Sequence, residues 1–366
     1  MRILYVGDLG TGQLCLTRCL ALEAIGADVR RYDFHHYVER LRTNLLLRVI
    51  KKFARAPLMR GLNQGLLRAF DEAQPDVVYV DKGVDIERRT LQSMRRRGEA
   101  LGRPVILVHF HPDSAFHHWL LTRAFEASLL EYDIHLCPHP FVLDEYRRRG
   151  VERALFIPYG FDPQAHFREV RFSEVADSER RDVVFVGRWE NKRSEWFDPL
   201  ARSGVRVHVW GPGWQGHTVD AGLIYEGEYA DFAEQRQIFG SARITLGLLS
   251  ITHSGGHTTR TFEVPACGGF MLTDRTRGQA QYFEEGREMA CFDSPEELHE
   301  KVLYYLEHDD ERETIRAAGQ QRCVSSGYEY EGRMRDILNE IERVRTEVLG
   351  QPTQTSASAV ATPASV

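Results

Sequence analysis

The stretch Thr258–Asp274, TTRTFEVPACGGFMLTD, sets Arg260 and Glu263 three residues apart at the head of a small, apolar run, with Gly268 and Gly269 back to back behind them. Charged side chains are rarely buried unless paired, so two of them beside a core ask for a chemical use. Gly255 and Gly256 precede Thr258, Thr259 and Arg260. A glycine-rich turn opening a helix directs N–H groups and the positive end of the helix dipole at a ligand, and such a turn can hold a pyrophosphate. Glu263 lies about one helical turn further in, where a carboxylate can accept from both hydroxyls of a ribose. Arg260 either reaches the diphosphate or pairs with an acid inside the domain. Upstream, FVGRWENKRSEWF puts Arg188, Lys192 and Arg193 just past a strand. A rigid guanidinium fork and a mobile ammonium suit phosphate, although a solvated basic turn would look the same. Phosphate, ribose and cation features together name one ligand class, a nucleoside diphosphate.

Other strand ends carry weaker signals. Gly7-Asp8-Leu9-Gly10-Thr11-Gly12 has the spacing G-x-x-G-x-G rather than the dinucleotide fingerprint, and Asp33 sits where that fingerprint's ribose acid would be. An NAD-type site and a tight turn with no ligand are both readings of it. His109, His111 and Asp113 alternate at another strand end, with His117 and His118 next, and suggest a cleft wall. No third metal ligand is marked, so no metal site is expected. Lys82, in Asp81-Lys82-Gly83, either meets an anionic substrate or is a solvated loop charge.

These residues need a scaffold of buried strands. The runs RILYVG, ADVRRYDF, PDVVYVDKG, RPVILVHFHPDS, YDIHLCPHP and ALFIPYGFDP alternate with helical spacing over the first half. Continuous apolar runs of this length belong to parallel sheets covered on both faces. DVVFVG, VRVHVWG, ARITLGLL and GGFMLTD repeat the pattern in the second half. The fold class is α/β with two doubly wound domains. The boundaries are a first domain over 1–165, a polar linker over 166–181, a second domain over 182–327, a helix over 328–348 and a disordered tail over 349–366.

The bulk numbers agree with this division. A chain of 366 residues exceeds what one core usually serves. A net charge of −6 does not ask for nucleic acid as a partner. Six cysteines without a CxxC pair argue against a zinc knuckle and against a disulfide framework. No signal peptide and no run of membrane-spanning length is visible, so a cytoplasmic location is expected.

TTRTFEVPACGGFMLTD, with FVGRWENKRSEWF upstream and QYFEEGREMACFDSPEELHEKVLYYLEHDDERETIRAAGQQRC downstream, resembles the C-terminal domain of CgeB-like (spore maturation protein) glycosyltransferases, within the group-1 glycosyltransferases of GT-B fold. The resemblance covers most of residues 182–335. In the first half it is confined to strand order and VILVHFHPDS. It implies two Rossmann-like domains facing across a cleft, with the first on the acceptor side and a nucleotide-sugar held mainly by the second. It implies metal-independent, retaining transfer of a hexosyl group from a nucleotide diphosphate-sugar, UDP favoured, to an unidentified acceptor. No cofactor is implied, since the nucleotide-sugar is a substrate. Arg188 with Lys192 or Arg193 would stabilise the leaving diphosphate. Glu263 would bind ribose, Gly10 would approach the phosphates, and His111 or Asp113 would face the sugar, with Lys82 and His109 toward the acceptor. The helix near 328–348 would cross back to the first domain. In one respect the chain departs from the family. The glutamate that many members carry eight residues before the ribose-binding one is Gly255 here, which leaves retention or inversion open. A UDP-sugar epimerase of the same fold and a non-catalytic nucleotide-sugar-binding protein of surface or spore polysaccharide assembly are the alternatives.

Residues 40–68 raise a partner question. Arg40, Arg42, Arg48, Lys51, Lys52, Arg55, Arg60 and Arg68 fall there with no acid among them. The readings are peripheral contact with an anionic membrane, an anionic acceptor, or a solvated helix over the first domain.

Overall fold

The computed structural model describes residues 1–117, 121–167, 172–177, 180–217, 222–228, 232–250 and 255–350. His118 and the tail from residue 351 lie outside the described residues. Twelve described strands form two all-parallel sheets. The first contains β1 (Arg2–Gly7), β2 (Asp28–Asp33), β3 (Val77–Asp81), β4 (Ile106–Phe110), β5 (Ile134–Cys137) and β6 (Ala154–Phe156), in the order β2-β1-β3-β4-β5-β6. The second contains β7 (Arg181–Val186), β8 (Val207–Trp210), β9 (Leu223–Gly227), β10 (Ala242–Gly247), β11 (Met271–Asp274) and β12 (Ala290–Phe292), in the order β12-β11-β10-β7-β8-β9. That second order is the Rossmann one, and it reverses between β7 and β10. A crevice opens beyond the carboxyl ends of strands at such a reversal, so the loops after β7 and β10 are the ones to watch.

Burial explains the strand sequences. Every residue of VVYVD and ILVHF is buried, because helices cover both faces of the first sheet. Side chains alternate between the faces. Tyr5, Tyr79 and Val108 pack on one side with Tyr330, Met334, Ile337, Ile341 and Val344, all from the helix Tyr330–Gly350. Leu4, Val6, Val78 and Val80 pack on the other with Leu62, Leu66 and Phe70 from the helix Leu45–Ala73. Each large apolar side chain so buried contributes roughly 1.5–3 kcal/mol, so the Tyr330–Gly350 helix is part of the first domain's core although it follows the second in sequence.

The two connections between the domains run side by side. Phe161 pairs with Glu329, the Phe161 N–H donates to Tyr328 O at 3.2 Å, and the Tyr330 N–H donates to Phe161 O at 2.9 Å. Past this point the polar composition of 166–181 suggests a free linker, but its described residues are packed on the second domain. Asp162 caps the helix Pro163–His166, its Oδ1 accepting from the amides of Gln164 and Ala165 at 2.9 and 3.3 Å. His166, Phe172 and Val175 are buried. Phe172 lies beneath the Arg316 guanidinium at 4.4 Å, and this cation–π contact, with buried Val175, anchors an otherwise largely polar segment.

In the basic stretch, Met59, Leu62 and Leu66 face the first sheet, and Arg55 pairs with Asp85, Nη2 to Oδ2 2.8 Å. Arg40, Arg60 and Arg68 are exposed, while the side chains of Arg42, Arg48, Lys51 and Lys52 lie outside the described residues. Among the described residues no helix is long and apolar enough to cross a membrane.

Candidate functional site

The crevice between β7 and β10 separates the three cations that the sequence groups together. Arg188 follows the last turn of β7, is exposed, and has no ion-pair partner among the described residues. Lys192 is half-exposed and reaches Asp274 at the end of β11, Nζ to Oδ1 3.3 Å, over the ring of Trp196. Burial raises the Asp274 carboxyl, although its Oδ2 accepts from the Leu249 N–H at 2.6 Å and Lys192 lies beside it. Arg193 is turned inward. Its Nη1 donates to Arg188 O and its Nη2 to Leu248 O at 3.2 Å, with the guanidinium 4.9 Å from the Phe185 ring. Burial pulls the Arg193 guanidinium down. Arg193 therefore ties the end of β7 to the end of β10 and holds the backbone that presents Arg188.

The loop after β7 is also clamped to the loop after β8. The Gly187 N–H donates to Trp210 O and the Trp189 N–H to Pro212 O, both at 2.9 Å. Gly211, at φ +133°, approaches so closely that a Cβ there would lie 2.3 Å from Gly187 O. Only glycine combines that dihedral with that approach.

On the other side of the crevice, Gly255 has φ +76° and its carbonyl accepts from Gly278 N at 3.3 Å. A left-handed backbone favours glycine, which is a physical reason for glycine rather than glutamate at this position. Gly256 O accepts from Thr276 Oγ1 at 2.7 Å. Thr258 and Thr259 are half-buried, and the Thr258 N–H already donates to Thr261 Oγ1 at 3.1 Å. Residues 251–254, which lead into the turn, are outside the described residues. The helix Arg260–Ala266 closes on the Gly-Gly pair. Gly268, at φ +70°, donates its N–H to Pro265 O at 2.8 Å and Gly269 donates to Val264 O at 2.9 Å.

Glu263 is 1% exposed and accepts from Arg260 Nη1. Arg260 is thus paired with an acid inside the domain. Arg260 also reaches Val186 O through Nε at 3.4 Å, joining the turn to β7. The other oxygen of Glu263 lies 3.8 Å from Nε2 of His166, which is fully buried. Nδ1 of His166 accepts from the Asp162 N–H at 3.1 Å, so the neutral ring carries its proton on Nε2, toward Glu263. Burial pulls His166 down and keeps that ring neutral.

The first domain contributes a different set. A Cβ on Gly10 would lie 2.4 Å from the His35 ring, so the space at Gly10 is filled by His35. His35 Nδ1 lies 2.6 Å from Asp8 Oδ1. Asp33, the candidate ribose acid of an NAD-type site, accepts from the amides of Leu9 and His35 at 3.0 and 2.8 Å and shapes this loop. Thr11 and Gly12 are the loop residues that line the open cleft of about 320 Å³ between the domains, opposite Gln164, Phe232 and Arg236.

At the ends of β3 and β4, Lys82 has φ +69°, a strained conformation for a residue with a side chain. Its Nζ pairs with Asp113 Oδ2 at 2.8 Å. Burial pulls this ammonium down, the Asp113 carboxylate more than offsets it, and the net effect is upward. Beneath Lys82, Asp81 is buried against Arg18, with contacts of 2.7 and 3.0 Å, and accepts from Tyr5 OH at 2.5 Å.

His109, expected toward the acceptor, is withdrawn into the core. It packs on Phe125 and Tyr132 and meets His135, Nδ1 to Nδ1 3.3 Å. It lies on a fully covered strand, where an imidazole is kept by pairing with its neighbours. His111 is fully buried; its Nδ1 lies 2.9 Å from Asp113 O and 3.2 Å from Asp113 N, and its Nε2 has no partner among the described residues. Burial pushes His111 down to about 4, so it is neutral at neutral pH. Among the described residues no group of three or more His, Cys, Asp and Glu is placed to hold a metal ion.

Three residues that meet these elements went unmarked in the sequence: Tyr159, His166 and His257. His257 lies within the glycine-rich turn but is not one of the residue types that turn calls for, and the neighbours of Tyr159 and His166 carry no ligand-binding motif. Only Asp162-Pro163, a capping acid before a proline, announces a helix start near them.

Two doubly wound domains facing across a cleft constitute the GT-B fold. Solved structures that share it include Anabaena HepE in complex with UDP-glucose, at 15% identity, covering 94% of this chain and 100% of that one, with a TM-score of 0.63. Sucrose-phosphate synthase from Thermosynechococcus elongatus is similar at 11% identity, 95% and 100% coverage, and a TM-score of 0.66. A Listeria monocytogenes protein assigned as a UDP-N-acetylglucosamine 2-epimerase is similar at 13% identity, 96% and 97% coverage, and a TM-score of 0.55. Residues 188–339 match the model of a family described as glycosyl transferase-like. No curated protein matches the chain in sequence.

Proposed function

We propose that this chain is a glycosyltransferase that moves a hexosyl group from a nucleotide diphosphate-sugar to an acceptor, with the donor held at the β7–β10 crevice. The observation that carries this reading is an exposed Arg188, without an ion-pair partner among the described residues, on one side of that crevice and a buried carboxylate, Glu263, one helical turn into the other. As the glycosidic bond breaks, negative charge builds on the departing diphosphate. A cation presented by a fixed backbone stabilises that charge without reorganising. Arg193 fixes the backbone, Arg188 supplies the cation, and Lys192 adds a second one by swinging from Asp274. Glu263, held in place by Arg260, takes the ribose hydroxyls. Across the cleft, Asp113 and Lys82 face the sugar and the acceptor, and neutral His111 completes that wall.

The finer parts belong to the same proposal. UDP is the favoured carrier, supported by the UDP and UDP-glucose bound in the HepE structures. The transfer needs no resident metal or cofactor, since Arg188 and Lys192 take the diphosphate charge. Retention and a CgeB-like subclass rest on the sequence resemblance, with Gly255 in place of the expected glutamate, and a cytoplasmic location rests on the lack of a recognisable signal or membrane-spanning run in the sequence.

The test is a release screen. The full chain is incubated with UDP-, GDP- and dTDP-sugars and free nucleoside diphosphate is measured, because many transferases slowly hydrolyse their own donor. Release from one carrier supports the proposal, and NMR of the freed sugar reports its anomeric outcome. No release and no thermal stabilisation by any of the three diphosphates overturns it. An epimer formed from the donor alone would move the assignment to an epimerase.

A further inference from the structure

Tyr159 lies on the segment that leads from β6 into the second domain and is 4% exposed. Each of its polar groups is engaged by a different part of the molecule. Its N–H donates to His257 Nε2 at 3.2 Å, on the glycine-rich turn of the second domain. Its hydroxyl donates to Pro112 O, between His111 and Asp113 of the first domain. Its carbonyl accepts from Arg333 Nε at 3.2 Å, on the helix that returns from the second domain. Burial holds the phenol well above its ordinary value, so it stays protonated and donates. Pro112 O accepts a second hydrogen bond from His139 Nε2 at 3.0 Å.

We infer that Tyr159 is a positioning residue that sets the distance between the donor-holding turn of the second domain and the His111–Asp113 loop of the first. The inference rests on the proposed transferase reading. In a two-domain transferase the sugar carbon is held by one domain and the groups that face it by the other. A misplacement of about 1 Å between them lowers a rate by about 10²-fold. The path from turn to loop is short: the His257 ring, the Tyr159 backbone and ring, and the Pro112 carbonyl. None of it is mobile side chain at the surface. Occupation of the turn is therefore transmitted to the loop through one buried phenol.

Tyr159→Phe removes the hydroxyl and keeps the ring. Pro112 O retains its bond from His139, so no acceptor is orphaned and the fold survives. Hydrogen exchange is measured on the full chain, wild type and variant, with and without UDP. In the wild type, UDP is expected to slow exchange over 255–266 and also over 109–116. In the variant, the slowing over 255–266 stays and that over 109–116 is lost. In parallel, turnover of UDP-glucose falls by about tenfold or more, with KM within about threefold. If UDP protects 255–266 in the wild type but never reaches 109–116, or if the variant keeps both protections, the inference is wrong and the transferase reading stands. If UDP protects nothing in the wild type, the donor site itself is refuted and the inference falls with it.

Discussion

Replacing Glu263 by alanine tests whether this carboxylate binds ribose or only pairs with Arg260. Its structural part can be estimated first. Glu263 is 1% exposed, whereas the Arg260 side chain keeps 21% exposure. Breaking a fully buried pair costs about 3–5 kcal/mol, and partial solvation of the arginine left behind reduces this to about 2 kcal/mol. At roughly 2–4 °C per kcal/mol, Tm falls by about 4–8 °C. The ligand part is separate. At UDP near 100 Kd the wild type gains about 2.7 kcal/mol, a rise of about 5–11 °C. The variant loses both hydrogen bonds from the ribose hydroxyls to a charged acceptor, each about 1.5–3 kcal/mol, so affinity drops by about 10²-fold or more. The same UDP concentration then gives about 0.4 kcal/mol, a rise of only 1–2 °C. Differential scanning fluorimetry across a UDP titration reads both parts. A variant that melts lower but keeps the full UDP-dependent rise shows that Glu263 is a scaffold acid and refutes its assignment to ribose.

Arg188→Ala removes an exposed cation that has no ion-pair partner among the described residues, so Tm should stay within about 2 °C while donor turnover falls by about 10²–10³-fold; unchanged turnover in a release assay would remove Arg188 from the mechanism. Gly278→Ala places a Cβ 2.5 Å from the Gly256 backbone. It should push the glycine-rich turn aside and weaken UDP binding by about tenfold or more in calorimetry without removing any side chain proposed to contact the donor, whereas wild-type affinity would show that the turn does not hold the donor. Acid should destabilise the first domain. His111 and His135 are both pushed down to about 4 by burial and titrate near 6.5 when unfolded. Between those values the unfolded chain binds more protons, so their contribution is complete above the unfolded value and is lost as pH falls through the window, by up to about 1.4 kcal/mol per unit for each group. Calorimetry from pH 7.5 to 5 should show a falling Tm, and a flat profile would mean these rings are not buried neutral.

The strands that carry the site were legible because burial on both faces leaves an unbroken apolar run, as in VVYV and ILVHF. β9 and β12 were not. β9 is a half-exposed edge whose LIYEG reads as a turn, and β12 has only three residues. Spacing alone placed Arg188, Lys192 and Arg193 at one strand end but could not sort them. On the helix Asn191–Arg202, neighbouring side chains point about 100° apart, and which one turns inward depends on where the sheet lies. Period two likewise put His109 and His111 on one face without saying that His109 is closed off by Phe125 and Tyr132. His166 and Tyr159 act through partners 97 and 47 residues away, Glu263 and Pro112, and no local pattern encodes such contacts.

The helix Tyr330–Gly350 has a consequence for how the chain is made. Its five buried residues complete a hydrophobic core whose other members lie in the first half of the chain. During synthesis the first domain emerges first, yet the face formed by Tyr5, Leu22 and Tyr79 stays uncovered until the ribosome has released residue 344. The second domain's buried clusters draw only on residues 159–328 and need nothing from that helix. The half that is translated first is thus the last to finish folding, and a ribosome stalled before Tyr330 presents an open apolar surface to chaperones and proteases.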